Sequence, residues 1–188
     1  MVGSTATASC RPLAYEATMG SMMLHRNRAV VRTAIGVAAI ALLGATSLGA
    51  QAPITVVPWR SLEFAAVLPG ITKLVDAADP QGGVIELRGT GGKQVRITLT
   101  LPPIILTQGG VFMQVAYTTG DALLAATFAP GLGTRFDPNA PKLGCLDPAT
   151  GSLFLFLGAR VVPRPTQRRG GYTGTVVANV VYTGLNCP

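Results

Sequence analysis

Two cysteines are the residues best placed for covalent chemistry. Cys145 and Cys187 stand in the carboxy-terminal part of the chain, and Cys10 lies far ahead of them in a leader. An even pair in an oxidising compartment is expected to form a disulfide. The alternative is two free thiols. A bridge would close a loop of about 43 residues and stabilise the fold by roughly 4 kcal/mol on chain-entropy grounds. Two thiols with no other ligands nearby are too few for a metal.

Other reactive chemistry is thin. The only histidine is His25, in the leader, so residues 53–188 have none. That removes the usual general base of serine and cysteine hydrolases and the imidazole ligands of zinc sites. Only Ser61 and Ser152 remain there, neither within a Gly-x-Ser-x-Gly elbow. The carboxylates Asp76, Asp79, Asp121, Asp137 and Asp147 sit in turn contexts, and Asp-Pro at 79, 137 and 147 is a turn signature. Glu63 and Glu86 are the exceptions, and a glycosidase would need such a pair at defined separation. No dense acidic loop suggests calcium. Gly91-Gly92-Lys93-Gln94 falls short of a phosphate loop, since Gln94 stands where Ser or Thr must hold magnesium, and it reads as a hairpin turn. The expectation is a non-enzyme with no catalytic, cofactor or metal residues.

Arg160, Arg164, Arg168 and Arg169 cluster around Pro163 and Pro165. They are a candidate patch for anionic glycans or lipid head groups, against the plainer reading of a solvated loop tip. The chain carries 15 Lys and Arg against 8 Asp and Glu. Arg11, Arg26, Arg28 and Arg32 belong to the leader, and the remaining excess is scattered, so no nucleic-acid partner is expected.

The leader explains the compartment. Arg26, Arg28 and Arg32 precede an uncharged apolar stretch from Thr33 to Leu48, followed by Gly49, Ala50 and Ala52. This is the layout of a secretory signal peptide, too short to serve comfortably as a membrane span of about 20 residues. Ala50-Gln51-Ala52 fits the cleavage pattern, though Pro53 is a poor first residue, so cleavage after Gly49 or Ala50 is an alternative. Met19, Met22 and Met23 are alternative starts. Residues 1–21 therefore read as an over-extended, disordered start, 22–52 as a signal peptide, and 53–188 as one domain. The product is expected in the periplasm, at the cell surface or outside the cell, with no transmembrane anchor after cleavage.

The elements that must position these residues are strands. Leu62, Phe64, Ala66 and Leu68 alternate with polar or small residues. Ile85 and Leu87 oppose Glu86 and Arg88. Val95, Ile97, Leu99 and Leu101 form the cleanest inward face until Pro102-Pro103 ends the strand. Val111, Met113, Val115 and Tyr117 share a face. Leu123–Phe128 is strand or helical turn, and 129–151 reads as one long loop. Leu153–Val162, apolar on both faces, reads as a central strand. In the last strand Tyr172, Val176, Ala178, Val180 and Tyr182 fall on one face. No amphipathic helix is apparent, and many strands with turns between them predict a sandwich or barrel.

Three stretches carry a family resemblance: Gly92–Pro102, with its alternation ending in Leu-Pro; Gly170-Gly171-Tyr172-Thr173-Gly174, leading into Val180-Val181-Tyr182; and Leu62-Glu63-Phe64-Ala65. They resemble a bacterial family, the domain of unknown function 4402, which is similar to spore coat protein U and to chaperone–usher pilin subunits. The family's Leu-x-Phe-Gly has glycine where this chain has Ala65. The resemblance implies an all-β, immunoglobulin-like (pilin-like) antiparallel sandwich after an N-terminal signal helix. It also implies a surface or appendage subunit that assembles by strand addition at an open sheet edge. The implied partners are copies of itself or other pilin-like subunits, a periplasmic chaperone and an usher. Ile54 and Val56 are the candidate donor strand, short and interrupted by Pro58; the alternative is that this segment completes its own sandwich. A second functional reading is a monomeric binding module for anionic envelope glycans.

Overall fold

The computed structural model describes residues 6–10 and 51–188. The expected signal peptide, 22–52, lies outside the described residues except for Gln51 and Ala52. Of the segment expected to be a structureless start, 1–21, only Ala6–Cys10 is described, and it forms a strand.

The described residues are all-β, with fifteen strands and one short 3-10 turn. In chain order they are β1 (Ala6–Cys10), β2 (Thr55–Arg60), β3 (Leu62–Val67), β4 (Lys73–Val75), β5 (Gly83–Arg88), β6 (Lys93–Thr100), β7 (Ile104–Leu106), β8 (Phe112–Ala116), β9 (Ala122–Ala125), β10 (Thr134–Phe136), β11 (Lys142–Cys145), β12 (Ser152–Leu157), β13 (Ala159–Val162), β14 (Gly170–Gly174) and β15 (Val177–Asn186). They form a seven-stranded sheet β3-β1-β14-β7-β8-β13-β4, a five-stranded sheet β10-β9-β12-β5-β2 and a three-stranded sheet β11-β6-β15. Pairing is antiparallel except between β1 and β14. The arrangement is consistent with a β-sandwich, whose sheets bury alternate residues against one another.

The core follows from the period of two. Leu62, Phe64, Leu87, Val95, Ile97, Ile105, Met113, Leu155 and Tyr172 are all essentially inaccessible and belong to one cluster. In the last strands, Tyr172 and Val176 are buried and Ala178, Val180 and Tyr182 pack against the core, while Val177 and Val181 face outward. β12 is buried along its whole length, as its apolar run predicts, and lies between β9 and β5. Leu153, Leu155 and Leu157 join the main core, whereas Phe154 and Phe156 form a second cluster with Val84, Leu123 and Ala125. Alternate residues of one strand must point to opposite faces, so this second cluster lies on the face of the five-stranded sheet turned away from the main core.

Five expectations change. First, the inward set of β3 is Leu62, Phe64 and Val67, not Ala66 and Leu68. A bulge opposite Ala8/Ser9 inserts a residue, and Ala65 takes φ 49°, which reverses the alternation after Phe64. Second, Leu153–Val162 is two strands. At Gly158 the chain leaves the five-stranded sheet as β12 and enters the seven-stranded one as β13. A Cβ there would collide with the backbone of Val75 and Ala77, so the close crossing requires glycine. Third, residues 129–151 are not a bare loop, because β10 and β11 pair with β9 and β6 through exposed, weakly apolar stretches that give no sequence signal. Fourth, Gly89–Gly92 is a turn, with Gly92 at φ 70°, but it is not a hairpin: β5 and β6 lie in different sheets. Fifth, the expected last strand is two, β14 in the seven-stranded sheet and β15 in the three-stranded one, broken at Thr175 and Val176 while the inward alternation runs on across the break.

Candidate functional site

The feature that needs explanation is the position between β3 and β14. These strands are not paired to each other. β1 lies between them, antiparallel to β3 (Ala6↔Val67 to Cys10↔Leu62) and parallel to β14 (Ala6↔Gly170 to Cys10↔Gly174). A strand from near residue 6 thus satisfies the facing edges of two strands more than 50 residues further along the chain. Its sequence is Ala-Thr-Ala-Ser-Cys, and its main chain is paired on both sides.

β14 is itself anchored at its start. Tyr172 is fully buried, and its hydroxyl donates to the Arg168 carbonyl at 2.7 Å. Gln167, 8 % exposed, donates through Nε2 to the Tyr172 hydroxyl at 2.5 Å and to the Phe112 carbonyl at 3.0 Å. Its Oε1 accepts the Arg164 N–H at 3.1 Å. The basic loop is therefore tied to β8 and β14 by a buried glutamine and tyrosine. The Arg164, Arg168 and Arg169 side chains themselves remain exposed.

The four arginines do not converge on one point. Arg164 sits with its guanidinium 4.1 Å above the Phe112 ring, a cation–π contact. Arg164 and Arg168 border a cleft of about 280 Å³ with Val111, Phe112 and Gln167. Arg168 and Arg169 border an adjoining open groove of about 610 Å³ with Thr107–Gly109, Gly170, Gly171 and Thr173. Arg160 lines neither and lies on β13 opposite Ala116 and Leu74.

Ile54 and Val56, named above as a donor strand, pack against their own core, and β2 pairs with β5 from Thr55↔Arg88 onward. In this single chain the segment thus lies in its own five-stranded sheet. Pro58 is tolerated because β2 is the edge strand of its sheet. Cys145 and Cys187 are joined in a disulfide with Cα atoms 5.7 Å apart, within the range such bridges require. The bridge links the end of β11 to the residue after β15.

Sequence patterning missed one constellation. Glu86, expected on an outward face, is 3 % exposed. Its Oε2 accepts the Trp59 indole N–H at 2.7 Å. Its Oε1 accepts the Ser152 hydroxyl at 2.8 Å and pairs with Arg88 Nε at 2.8 Å. The Arg88 guanidinium, then the Ser152 hydroxyl and the Trp59 indole, hold the carboxyl below the ordinary glutamate value against the opposing effect of burial. Such a group is ionised at neutral pH and fixes its neighbours. Alternation placed Glu86 correctly on the face opposite Ile85 and Leu87, but that face is itself covered by aromatic rings that no local pattern announces. The turn aspartates are as expected: Asp76, Asp79, Asp137 and Asp147 each accept the N–H two residues on. Among the described residues no group of His, Cys, Asp and Glu could hold a metal, and no helix is long and apolar enough to cross a membrane. Comparison with protein-family models and with curated proteins gives no match.

Proposed function

We propose that the protein is an exported, pilus-like structural or surface-appendage subunit, which assembles by accepting an extended segment of a neighbour between β3 and β14. One observation carries this reading. The place beside β14 is filled by residues 6–10, which precede the expected export segment. Removal of the leader would leave two facing strand edges with unpaired N–H and C=O groups. Such edges recruit another strand: main-chain bonds supply affinity and alternate side chains set register.

The topology supports an immunoglobulin-like assignment. The order β2-β5-β12-β9 corresponds to strands A-B-E-D of that fold, and the pairs β6–β15 and β7–β14 to C and F. The Tyr172 hydroxyl bonded four residues back, at the start of the F strand, matches the tyrosine corner of such domains. In this scheme β1 occupies the place of strand G. The positive φ of Ala65 also fits the resemblance noted in the sequence, whose corresponding position is glycine. The accepted strand would come from another copy, a pilin-like subunit or a periplasmic chaperone, with an usher as the assembly platform.

Export of the full chain, with mass analysis of the recovered product, tests this reading. The expected product begins after residues 49–52 and runs as oligomers or with a bound partner. A processed monomer whose β3 and β14 amides resist hydrogen exchange as strongly as those of β12 would overturn it. The open groove beside Arg168 and Arg169 favours a second reading, a monomeric module for anionic envelope glycans. Glycan binding lost in Arg168→Ala/Arg169→Ala would support that instead.

A further inference from the structure

Trp59 is the chain's single tryptophan, and it is 52 % exposed on the outer face of the five-stranded sheet. Phe128, 48 % exposed, lies beside it, with ring centroids 5.3 Å apart and planes tilted by 30°. Both rings meet Phe154 edge to face, at 5.7 Å and 5.8 Å. An exposed indole ordinarily keeps rotational freedom. This one is fixed from below by Phe154 and at its N–H by Glu86. The other oxygen of the same carboxylate holds Arg88 through Nε. The indole nitrogen and the guanidinium Nε therefore lie within about 8 Å of each other, the span of two hydrogen bonds across one carboxylate. The Arg88 side chain is 56 % exposed, and engagement through Nε leaves its terminal Nη amino groups on the solvent side.

We propose that Trp59, Phe128 and Arg88 form a binding site for a uronic-acid-containing polysaccharide. The apolar C–H face of one pyranose ring packs on the two aromatic rings, and Arg88 binds the uronate carboxylate through its Nη groups. The size of the surface favours a sugar. Two half-exposed rings offer roughly 200 Å², against about 800 Å² that each partner contributes to a stable protein interface. The chemistry favours a carboxylate, since the planar guanidinium fork matches it in two-point contact. Pre-fixing of both groups by Glu86 reduces the ordering cost of binding. Because Glu86 offsets much of the charge on Arg88, the contact depends on directed hydrogen bonds, and binding should respond only weakly to salt. The site is separate from the strand-accepting position: β3 and β14 belong to the seven-stranded sheet.

Emission from Trp59 reports on this site alone. Titration of the purified protein with oligogalacturonate is expected to give a saturable change in that emission, little altered between low and high salt. A neutral gluco-oligosaccharide of equal length should bind about tenfold or more weakly. Phe128→Ala should weaken oligogalacturonate binding by about tenfold while the melting transition is retained. Arg88→Gln should remove the preference for the acidic sugar, and Arg168→Ala/Arg169→Ala should change nothing. Equal affinity for the neutral sugar, strong salt dependence, or binding that leaves Trp59 emission unchanged would overturn the proposal. So would an emission change that appears only with protein concentration or on addition of another protein.

Discussion

Ala65 holds a backbone conformation, φ 49°, that costs an L-residue with a Cβ about 1–2 kcal/mol relative to glycine. Relief of that cost is partly offset by the added freedom of glycine in the unfolded chain, about 0.4–1 kcal/mol. Ala65→Gly should therefore be neutral or stabilising by up to about 1.6 kcal/mol. Ala66→Gly, one position on and in ordinary strand geometry, should cost roughly 0.5–1 kcal/mol. Denaturant melts of the two variants check this, and equal losses in both would remove the bulge from the explanation. Glu86 makes a second residue-level case. Its carboxyl is held below its ordinary value, so the stability it contributes is present above the unfolded pKa of about 4.3 and is lost as pH falls through the lower folded value. Asp76, Asp137 and Asp147 are lowered as well, so the wild type alone does not isolate Glu86. Glu86→Gln should lower the melting temperature at neutral pH, and its difference from wild type should shrink on acidification below about pH 4. A difference constant from pH 7 to pH 2.5 would contradict the assigned role.

Strands with one buried face were legible in the sequence, and those without one were not. β6 and β14–β15 keep strict alternation, and their inward residues are the ones named from the pattern. β12 showed itself by being apolar throughout, as a strand with both faces covered must be. β10 and β11 are short and largely exposed, and their sequences, Thr-Arg-Phe and Lys-Leu-Gly-Cys, carry no period. The bulge in β3 was hidden because an alanine occupies a position that glycine would have flagged. The break at Gly158 was hidden because apolar residues continue on both sides of a change of sheet. Turn chemistry was read correctly wherever aspartate bonds its own backbone. The arginines of the 160–169 segment could be seen, but not their sorting into two adjoining clefts and one outlier, which depends on Gln167 and Tyr172 meeting across the loop. Trp59 and Glu86, 27 residues apart, meet only because β2 and β5 are neighbours.

At the scale of the whole molecule the decisive facts are long-range. Most contacts join strands distant in sequence, and the chain passes from one sheet to another within one or two residues at β2–β3, β12–β13 and β14–β15. The loop closed by Cys145 and Cys187 spans 42 residues and includes β12, β13, β14 and β15. Replacement of both cysteines by serine should lower stability by about 2–4 kcal/mol, read as an earlier denaturant midpoint with an unchanged slope. Added reductant should shift the wild type towards the same midpoint and leave the variant where it is. No effect in either case would mean that the bridge constrains a segment already fixed by pairing alone.

The same covalent loop governs how the domain carries mechanical tension. If force is applied to its two ends, the 42-residue segment cannot be drawn out while the sulfurs remain joined. At about 3.3–3.6 Å per extended residue, roughly 140 Å of contour length stays locked. Load arriving beyond Cys187 passes through the bridge to β11 and its neighbour β6, bypassing the central strand and the arginine loop. A link in a surface fibre built this way would yield by a short, limited extension first and give up the rest only after reduction.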